Sequence, residues 1–273
     1  MSRRLLVDLG NTRLKWAWLS PAGRVGRMQA AAHAGWTNKD FAAAMQHLQP
    51  GDRVFAVSVA APAVQRRFAA AVRLRSGRGP QWLRSRRAAA GVHNAYREPW
   101  RLGADRWAAL LAARRAETAV LIADVGTAVT LDLLDGEGRH LGGAILPGAE
   151  LMVSALLRGT GGIRRRAAGD RANARDFFGR STRAAVEGGA RLALVASLEA
   201  AVAAATRRLG HAPALWLTGG GAGPLRKRLP VAHEWHPALV LDGLARGMRH
   251  GATESLATKN TPKNPPKKSK NQE

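Results

Sequence analysis

The sequence predicts an α/β protein made of two related halves. Apolar strand-like runs alternate with helical stretches along its 273 residues. One unit (strand, acidic-glycine turn, strand, hairpin) occurs twice, about half a chain apart, and such an internal repeat governs how the rest is read. There is no cysteine, so no disulfide framework and no thiol nucleophile compete with that reading.

The first copy opens the chain. Leu5-Leu6-Val7 reads as a strand running into Asp8-Leu9-Gly10-Asn11-Thr12, and Leu14-Lys15-Trp16-Ala17-Trp18-Leu19 reads as the next strand. Ser20-Pro21-Ala22-Gly23 is its turn. Trp16 and Trp18 share one strand face and are expected in the core. Residues 54–59 read as a buried strand, 62–72 as a helix with Pro62 at its start, and 81–83 as a short strand. Residues 93–102 read as a polar loop. Residues 104–117 read as a helix with Trp107, Ala108, Leu110, Leu111 and Ala112 on its apolar side.

In the second copy, Val120-Leu121-Ile122-Ala123 leads into Asp124-Val125-Gly126-Thr127-Ala128. The strand 129–134 follows, then the turn Asp135-Gly136-Glu137-Gly138. After Gly142-Gly143-Ala144-Ile145-Leu146-Pro147-Gly148 a helix is expected through Leu157. Residues 159–173, rich in Gly and Arg, read as a mobile loop, and 182–209 as a long Ala-rich helix. Leu215-Trp216-Leu217-Thr218 reads as a strand ending in Gly219-Gly220-Gly221. Leu239-Val240-Leu241 reads as a short strand and 242–249 as the last helix. The chain thus divides into an N-terminal half (1–118), a C-terminal half (119–250) and a basic tail (251–273). Residues 259–273 hold five Lys and one Glu, and the tail is expected to be disordered.

Composition bounds the class. Apolar residues make up 46% of the chain, as in a globular protein. A strand begins within a few residues of the N-terminus, so no signal peptide is expected. No run reads as the ~18 apolar residues of a membrane helix. A cytoplasmic protein without a membrane partner is the expectation. The net charge of +24 raises a polyanion reading. Most of the body's Arg are scattered, apart from clusters such as Arg84-Ser85-Arg86-Arg87 and Arg164-Arg165-Arg166, so nucleic acid is not expected as the main partner.

The chemistry gathers at the two turns. A strand-terminal turn with glycine lets backbone N–H groups approach a phosphate closely. Asp8 is placed to hold a hydrated Mg²⁺, and Lys15 adds positive charge near the phosphates. Two facing turns of this kind clamp a nucleotide's phosphates and its magnesium. There is no G-x-x-x-x-G-K-[ST] loop and no G-x-G-x-x-G after the first strand, so the P-loop and dinucleotide routes are excluded. Asp105 has two readings. It is a helix N-cap, or a carboxylate presented to a substrate hydroxyl, kept ionised by the helix N-terminus, with Arg106 meeting an anion. The eight histidines show no metal spacing.

Taken together, these residues resemble the type III pantothenate kinases, the family that also includes the Bvg accessory factor proteins. The match rests on Asp8-x-Gly10-Asn11-Thr12, Gly103-x-Asp105-Arg106, Asp124-x-Gly126-Thr127-Ala128-x-Thr130-x-Asp132 and Gly142-Gly143-x-Ile145-x-Pro147-Gly148, in that order, and runs to about Met248. The resemblance implies a duplicated actin–hexokinase (ribonuclease H-like) fold with ATP in the cleft between the halves. It implies phosphorylation of pantothenate to 4′-phosphopantothenate, the first step of coenzyme A synthesis. It makes Asp8, Leu9, Gly10, Asn11, Thr12, Arg13, Leu14 and Lys15 the first phosphate loop, and gives Thr127 to ATP. It makes Asp105 the general base, and lines the pantothenate pocket with Tyr96, Gly103, Ala104, Asp105 and Arg106. Asp124 would bind the activating K⁺ or NH₄⁺, and Thr182 would reach pantothenate across a homodimer interface. Two departures stand out: Trp16 and Trp18 follow the first loop, and Ser181-Thr182 replaces the family's Asn-Thr pair. Two other classes stay open at this point, a nucleic-acid-associated transcriptional accessory factor and a phosphohydrolase on the same fold.

Overall fold

Alternating apolar side chains make the first hairpin. Strand β1 (Arg4–Leu9) pairs antiparallel with β2 (Arg13–Leu19), in a register that sets Asp8 opposite Lys15 and Leu9 opposite Leu14. The computed structural model describes residues 2–170, 177–251 and 253–255. Strand β3 (Gln29–Ala32) extends the hairpin. Helix α1 (Asn38–Ala44) starts at a capping box in which Thr37 and Asp40 satisfy each other's backbone N–H groups. Strand β4 (Arg53–Ser58) returns parallel to β1. Helix α2 (Pro62–Ser76) begins on Pro62, whose fixed φ suits a first helical residue. Strand β5 (Gln81–Leu83) lies parallel to β4, and a small hairpin of β6 (Ala88–Ala89) and β7 (Val92–His93) precedes α3 (Ala104–Ala113).

The second half repeats this plan. Strands β8 (Val120–Val125), β9 (Ala128–Leu134) and β10 (His140–Pro147) form an antiparallel meander. Helices α4 (Ala149–Gly159), α5 (Gly161–Ala167) and α6 (Thr182–Leu209) follow. Then come β11 (Ala214–Thr218), α7 (Ala222–Arg226) and β12 (Glu234–Trp235). The second sheet runs β10-β9-β8-β11-β12, and the first runs β3-β2-β1-β4-β5 before one added edge strand. Both have a central antiparallel hairpin and two further parallel strands. The duplication seen in the loops therefore extends to whole sheets.

Helix α8 (Leu239–Arg249) then crosses to pack on α3, and β13 (Thr253–Ser255) adds to the edge at β5. Trp107, Leu110 and Leu111 of α3 and Leu239, Val240 and Leu244 of α8 fill one core that also takes Leu6 and Phe55 from the first sheet and Ile122, Leu134 and Trp216 from the second. These two helices form the layer between the sheets. The opposite sheet faces are covered by α1 and α2 through Phe41 and Phe68, and by α6 through Leu194, Val195 and Leu198. Trp16 and Trp18 pack at the margin of the first of these outer cores.

Several expectations need correction. Leu239-Val240-Leu241 is the first turn of α8 and not a strand, because burial at 239, 240, 241, 244 and 245 follows a helical face against α3. Residues 159–173 are not wholly loop: α5 lies within them, with Ala167 buried, and 171–173 lie outside the described residues. In the tail, 253–255 form a strand, while 252 and 256–273 lie outside the described residues. Among the described residues, one helix is long and apolar enough to cross a membrane: α6, whose most apolar stretch has a mean hydropathy of 1.4. Its Leu194, Val195 and Leu198 are buried against the second sheet, as in a core helix.

Candidate active site

The two acidic-glycine turns face each other. In the first, Gly10 N–H donates to Arg13 O at 3.0 Å, leaving Asn11 and Thr12 at the tip. In the second, Gly126 N–H donates to Ala128 O at 3.0 Å, leaving Thr127 at the tip. The Thr12 and Thr127 hydroxyl oxygens are 3.0 Å apart. Buried His33 braces the first turn: its Nε2 lies 2.8 Å from Gly10 O, and its backbone N–H donates to Thr12 O at 3.1 Å. The second turn is braced by the N–H groups of Gly148, to Thr127 O, and Gly221, to Val125 O, both at 2.9 Å. Gly219 has φ +91°, and a Cβ there would overlap Asp124 Oδ1 and Val125 O. The glycine run after β11 is thus what allows it to close over the second turn.

Three carboxylates and one ammonium share this space. Asp8 is buried and lies 3.4 Å from Lys15 Nζ. Burial raises the Asp8 carboxyl above its ordinary range; Lys15 works against that and Asp105 adds to it. Burial also disfavours the Lys15 ammonium, but Asp8 and Asp124 outweigh it and hold its pKa above the usual lysine value. Burial pushes Asp124 up to about 6, with Asp105, Asp8 and Asp132 adding to the rise and Lys15 opposing it. Such a cluster of acids suits a cation, although among the described residues no group of three or more His, Cys, Asp or Glu is arranged to hold a metal by itself.

Asp105 sits one residue inside α3, whose N-cap is Gly103, so the N-cap reading of Asp105 does not hold. Its Oδ1 accepts the Arg106 backbone N–H at 2.8 Å. The expected pull of the helix N-terminus toward ionisation is outweighed: burial raises the Asp105 carboxyl, while the Arg106 N–H and guanidinium only moderate the rise. A carboxylate made more basic by burial suits proton abstraction.

Arg106 differs from the expectation of a guanidinium open to the cleft. Its Nε and Nη2 donate to both Asp132 carboxylate oxygens at 2.8 and 2.7 Å, and the two side chains are 5% and 2% exposed. The remaining Nη1 donates to the Tyr96 hydroxyl at 3.0 Å. Tyr96 and Arg106 are thus brought together by a hydrogen bond, while the guanidinium is committed to a buried ion pair with Asp132. Gly103 and Ala104 lie beside them at the start of α3. Leu9 and Leu14 have fully buried side chains, so only their backbone faces the first turn. Arg13 is exposed. Thr182 opens α6 after the N-cap Ser181 and lines a different space, an apolar groove of about 830 Å³ with Pro147, Leu151, Leu156 and Ile163.

The sequence model of the type III pantothenate kinases matches residues 4–204. The chain belongs to that family. A type III pantothenate kinase of Halorhodospira halophila is 43% identical over 260 residues, covering 91% of this chain and 99% of that one. One from Thiobacillus denitrificans is 38% identical, covering 91% and 97%. Among solved structures, a putative 2-dehydro-3-deoxygalactonokinase from Sinorhizobium meliloti superposes with TM-score 0.58 at 15% identity, covering 90% of this chain and 96% of that one. A putative Baf family transcriptional activator from Campylobacter jejuni gives 0.57 at 17%, covering 90% and 97%. At such identities these two bear on the fold alone, which is the duplicated actin–hexokinase fold. The transcriptional reading is not favoured, since the curated relatives are named as kinases.

Two residues that shape the site escaped the sequence reading. His33 and His140 are both buried, and His140 packs against Asp132 and Tyr96. Nothing in their spacing marks them. The sequence reading assigned no strand to residues 140–147, where β10 carries His140, and the glycines at 142 and 143 weaken the strand signal.

Proposed function

We propose that this protein transfers the γ-phosphoryl group of ATP to the primary hydroxyl of pantothenate, giving 4′-phosphopantothenate and ADP at the entry to coenzyme A synthesis. Family membership supplies the reaction. The observation that carries it into this site is the contact of the Thr12 and Thr127 hydroxyls, which sets both turns on one space beside Asp105. Asp105 accepts the hydroxyl proton as that oxygen bonds to the γ-phosphorus, and the bond from phosphorus to the β–γ bridging oxygen breaks to release ADP. The first turn, residues 8–15, and Thr127 hold the ATP phosphates, with Lys15 countering their charge. Asp8 holds a hydrated Mg²⁺, and Asp124 holds K⁺ or NH₄⁺. Burial raises both carboxyls, with Lys15 opposing the rise, and a further cation would offset the same cost of burying their charge. When bound, these ions neutralise charge on the phosphates.

Gly103, Ala104, Arg106 and Tyr96 hold the acceptor in one subunit, and Thr182 approaches it from the other subunit of a homodimer. That role accounts for Thr182 lying in the α4–α6 groove. Exposed Leu151 and Leu156 supply apolar surface there, and Leu192 is exposed on the same helix as Thr182. The compartment is the cytoplasm, and the halves meet near residues 118–119. A coupled ADP-release assay with and without pantothenate tests the reaction. Release that requires pantothenate supports it, and equal release without any acceptor points to a phosphohydrolase.

A further inference from the structure

The buried pair Arg106–Asp132 joins the two halves directly beside the acceptor pocket. Arg106 lies on α3 of the first half, and Asp132 lies on β9 of the second sheet, between Ile122 on β8 and Gly143 on β10. Both carboxylate oxygens are taken by Arg106, at 2.8 and 2.7 Å. On the other side of the carboxylate stands His140, also buried. Its Nε2 is 2.9 Å from Asp132 Oδ1 but outside hydrogen-bond geometry, so neither ring nitrogen has a directed partner. The His140 ring stacks on Tyr96, with centroids 6.1 Å apart and planes 17° from parallel. Gly143 leaves room for the group: a Cβ there would lie 2.7 Å from Asp132 Oδ1 and would overlap Arg106 Nη2 and Leu131 O.

This arrangement fixes the direction of one hydrogen bond. Arg106 Nη1 donates to the Tyr96 oxygen, so the Tyr96 O–H proton must point away from the guanidinium. Tyr96 is partly exposed, while Arg106, Asp132 and His140 are not. The Tyr96 hydroxyl is therefore a donor that this chain of groups offers outward, polarised by the cation behind it.

We infer that Asp132 and His140 are positioning residues: they fix Arg106 and Tyr96 so that the Tyr96 hydroxyl donates to the carboxylate of the acceptor, and so set the preference for an anionic acceptor. This rests on the pantothenate reading above. A bidentate partner holds the guanidinium plane, and the stacked imidazole holds the phenol ring. Without either, the hydroxyl loses its fixed direction, and recognition of a charged end suffers more than recognition of the rest of the molecule.

The test compares pantothenate with pantothenol, in which a neutral alcohol replaces the carboxylate. Wild type, Asp132→Asn, His140→Gln and Tyr96→Phe are assayed by ADP release, with melting temperature recorded for each. Wild type is expected to prefer pantothenate. His140→Gln and Asp132→Asn should lose about tenfold or more in kcat/KM for pantothenate, mainly through KM, as expected for one weakened hydrogen bond to a charged group. Their kcat/KM for pantothenol and their KM for ATP should change by less than about threefold. In a Tyr96→Phe background the same substitutions should have little further effect on pantothenate. Equal losses for both acceptors would overturn the inference, because a merely structural role predicts them. So would an unchanged preference in folded His140→Gln, which decides the matter if Asp132→Asn does not fold. Wild type that uses both acceptors equally overturns it too. Wild type that uses neither overturns the kinase reading itself, and that result appears before any variant is compared.

Discussion

Thr12 Oγ1 and Thr127 Oγ1 stand 3.0 Å apart, although 115 residues separate them in the chain. Each is the hydroxyl at the tip of an acidic-glycine turn, and each turn ends the first strand of its half. The contact brings the two turns together and leaves the two hydroxyls side by side. Thr127→Ala is expected to raise KM for ATP by about tenfold, the loss of one hydrogen bond to a charged phosphate, with little effect on KM for pantothenate. Steady-state kinetics in both substrates check this.

Asp105→Asn should fold normally and lose ~10²–10⁴-fold in kcat, the usual contribution of a positioned base. Because burial raises the Asp105 carboxyl, the acidic limb of kcat/KM in wild type should lie above the ordinary carboxylate range. The sign follows from the role: protonated Asp105 accepts no proton, so activity is lost as pH falls through the raised pKa. Near-wild-type turnover in a folded variant would remove the base from Asp105.

Asp124 makes a prediction for stability without ligands. Its pKa in the folded protein is raised to about 6, while an unfolded Asp titrates near 3.8. The folded state therefore binds the extra proton between those values. The stabilisation is fully present below the unfolded pKa and is lost as pH rises through about 6. Melting temperature should fall across that window in the apoprotein, and Asp124→Asn should flatten the fall. Added K⁺ should raise the melting temperature more at pH 7.5 than at pH 5, since only the ionised site offers a cation its charge. Full activity in sodium buffer after exhaustive potassium removal would count against the monovalent site.

A dimer mass is expected by light scattering at micromolar concentration. Leu192, 41% exposed on α6, and Leu151, 38% exposed on α4, are the apolar side chains proposed to meet at the dimer interface. Leu192→Glu should shift the mass toward monomer and weaken pantothenate use more than ATP binding, if Thr182 acts across the interface.

Truncation separates two parts of the tail. Ending the chain after Ser255 keeps β13 and should leave melting temperature and kcat unchanged. Ending it after Gly251 removes the strand paired with β5 and should lower melting temperature by a few degrees, roughly 1 kcal/mol in a chain of this size. Identical melting curves for the two truncations would show that β13 adds nothing to stability.

Local chemistry made much of this protein readable from sequence. The hairpins of β1–β2 and β8–β9 follow from alternating apolar side chains and turn residues, and the 28-residue α6 from its Ala-rich composition bounded by Ser181 and Gly210. The order of the motifs was enough to name the family, and with it the reaction. Tertiary structure decided what depends on residues far apart. Leu239-Val240-Leu241 became helix because α3 offered a face to pack on. Strand β10 runs through Gly142-Gly143, and only the fold shows that a side chain at 143 would collide with Arg106 and Asp132. The helix terminus favours an ionised Asp105, but burial, with Asp132 adding to it, raises its carboxyl, and burial is a property of the folded molecule. Arg106 shows the same limit. Its sequence position gave its neighbourhood, and only the second sheet, bringing Asp132 from 26 residues away, determined what its guanidinium holds.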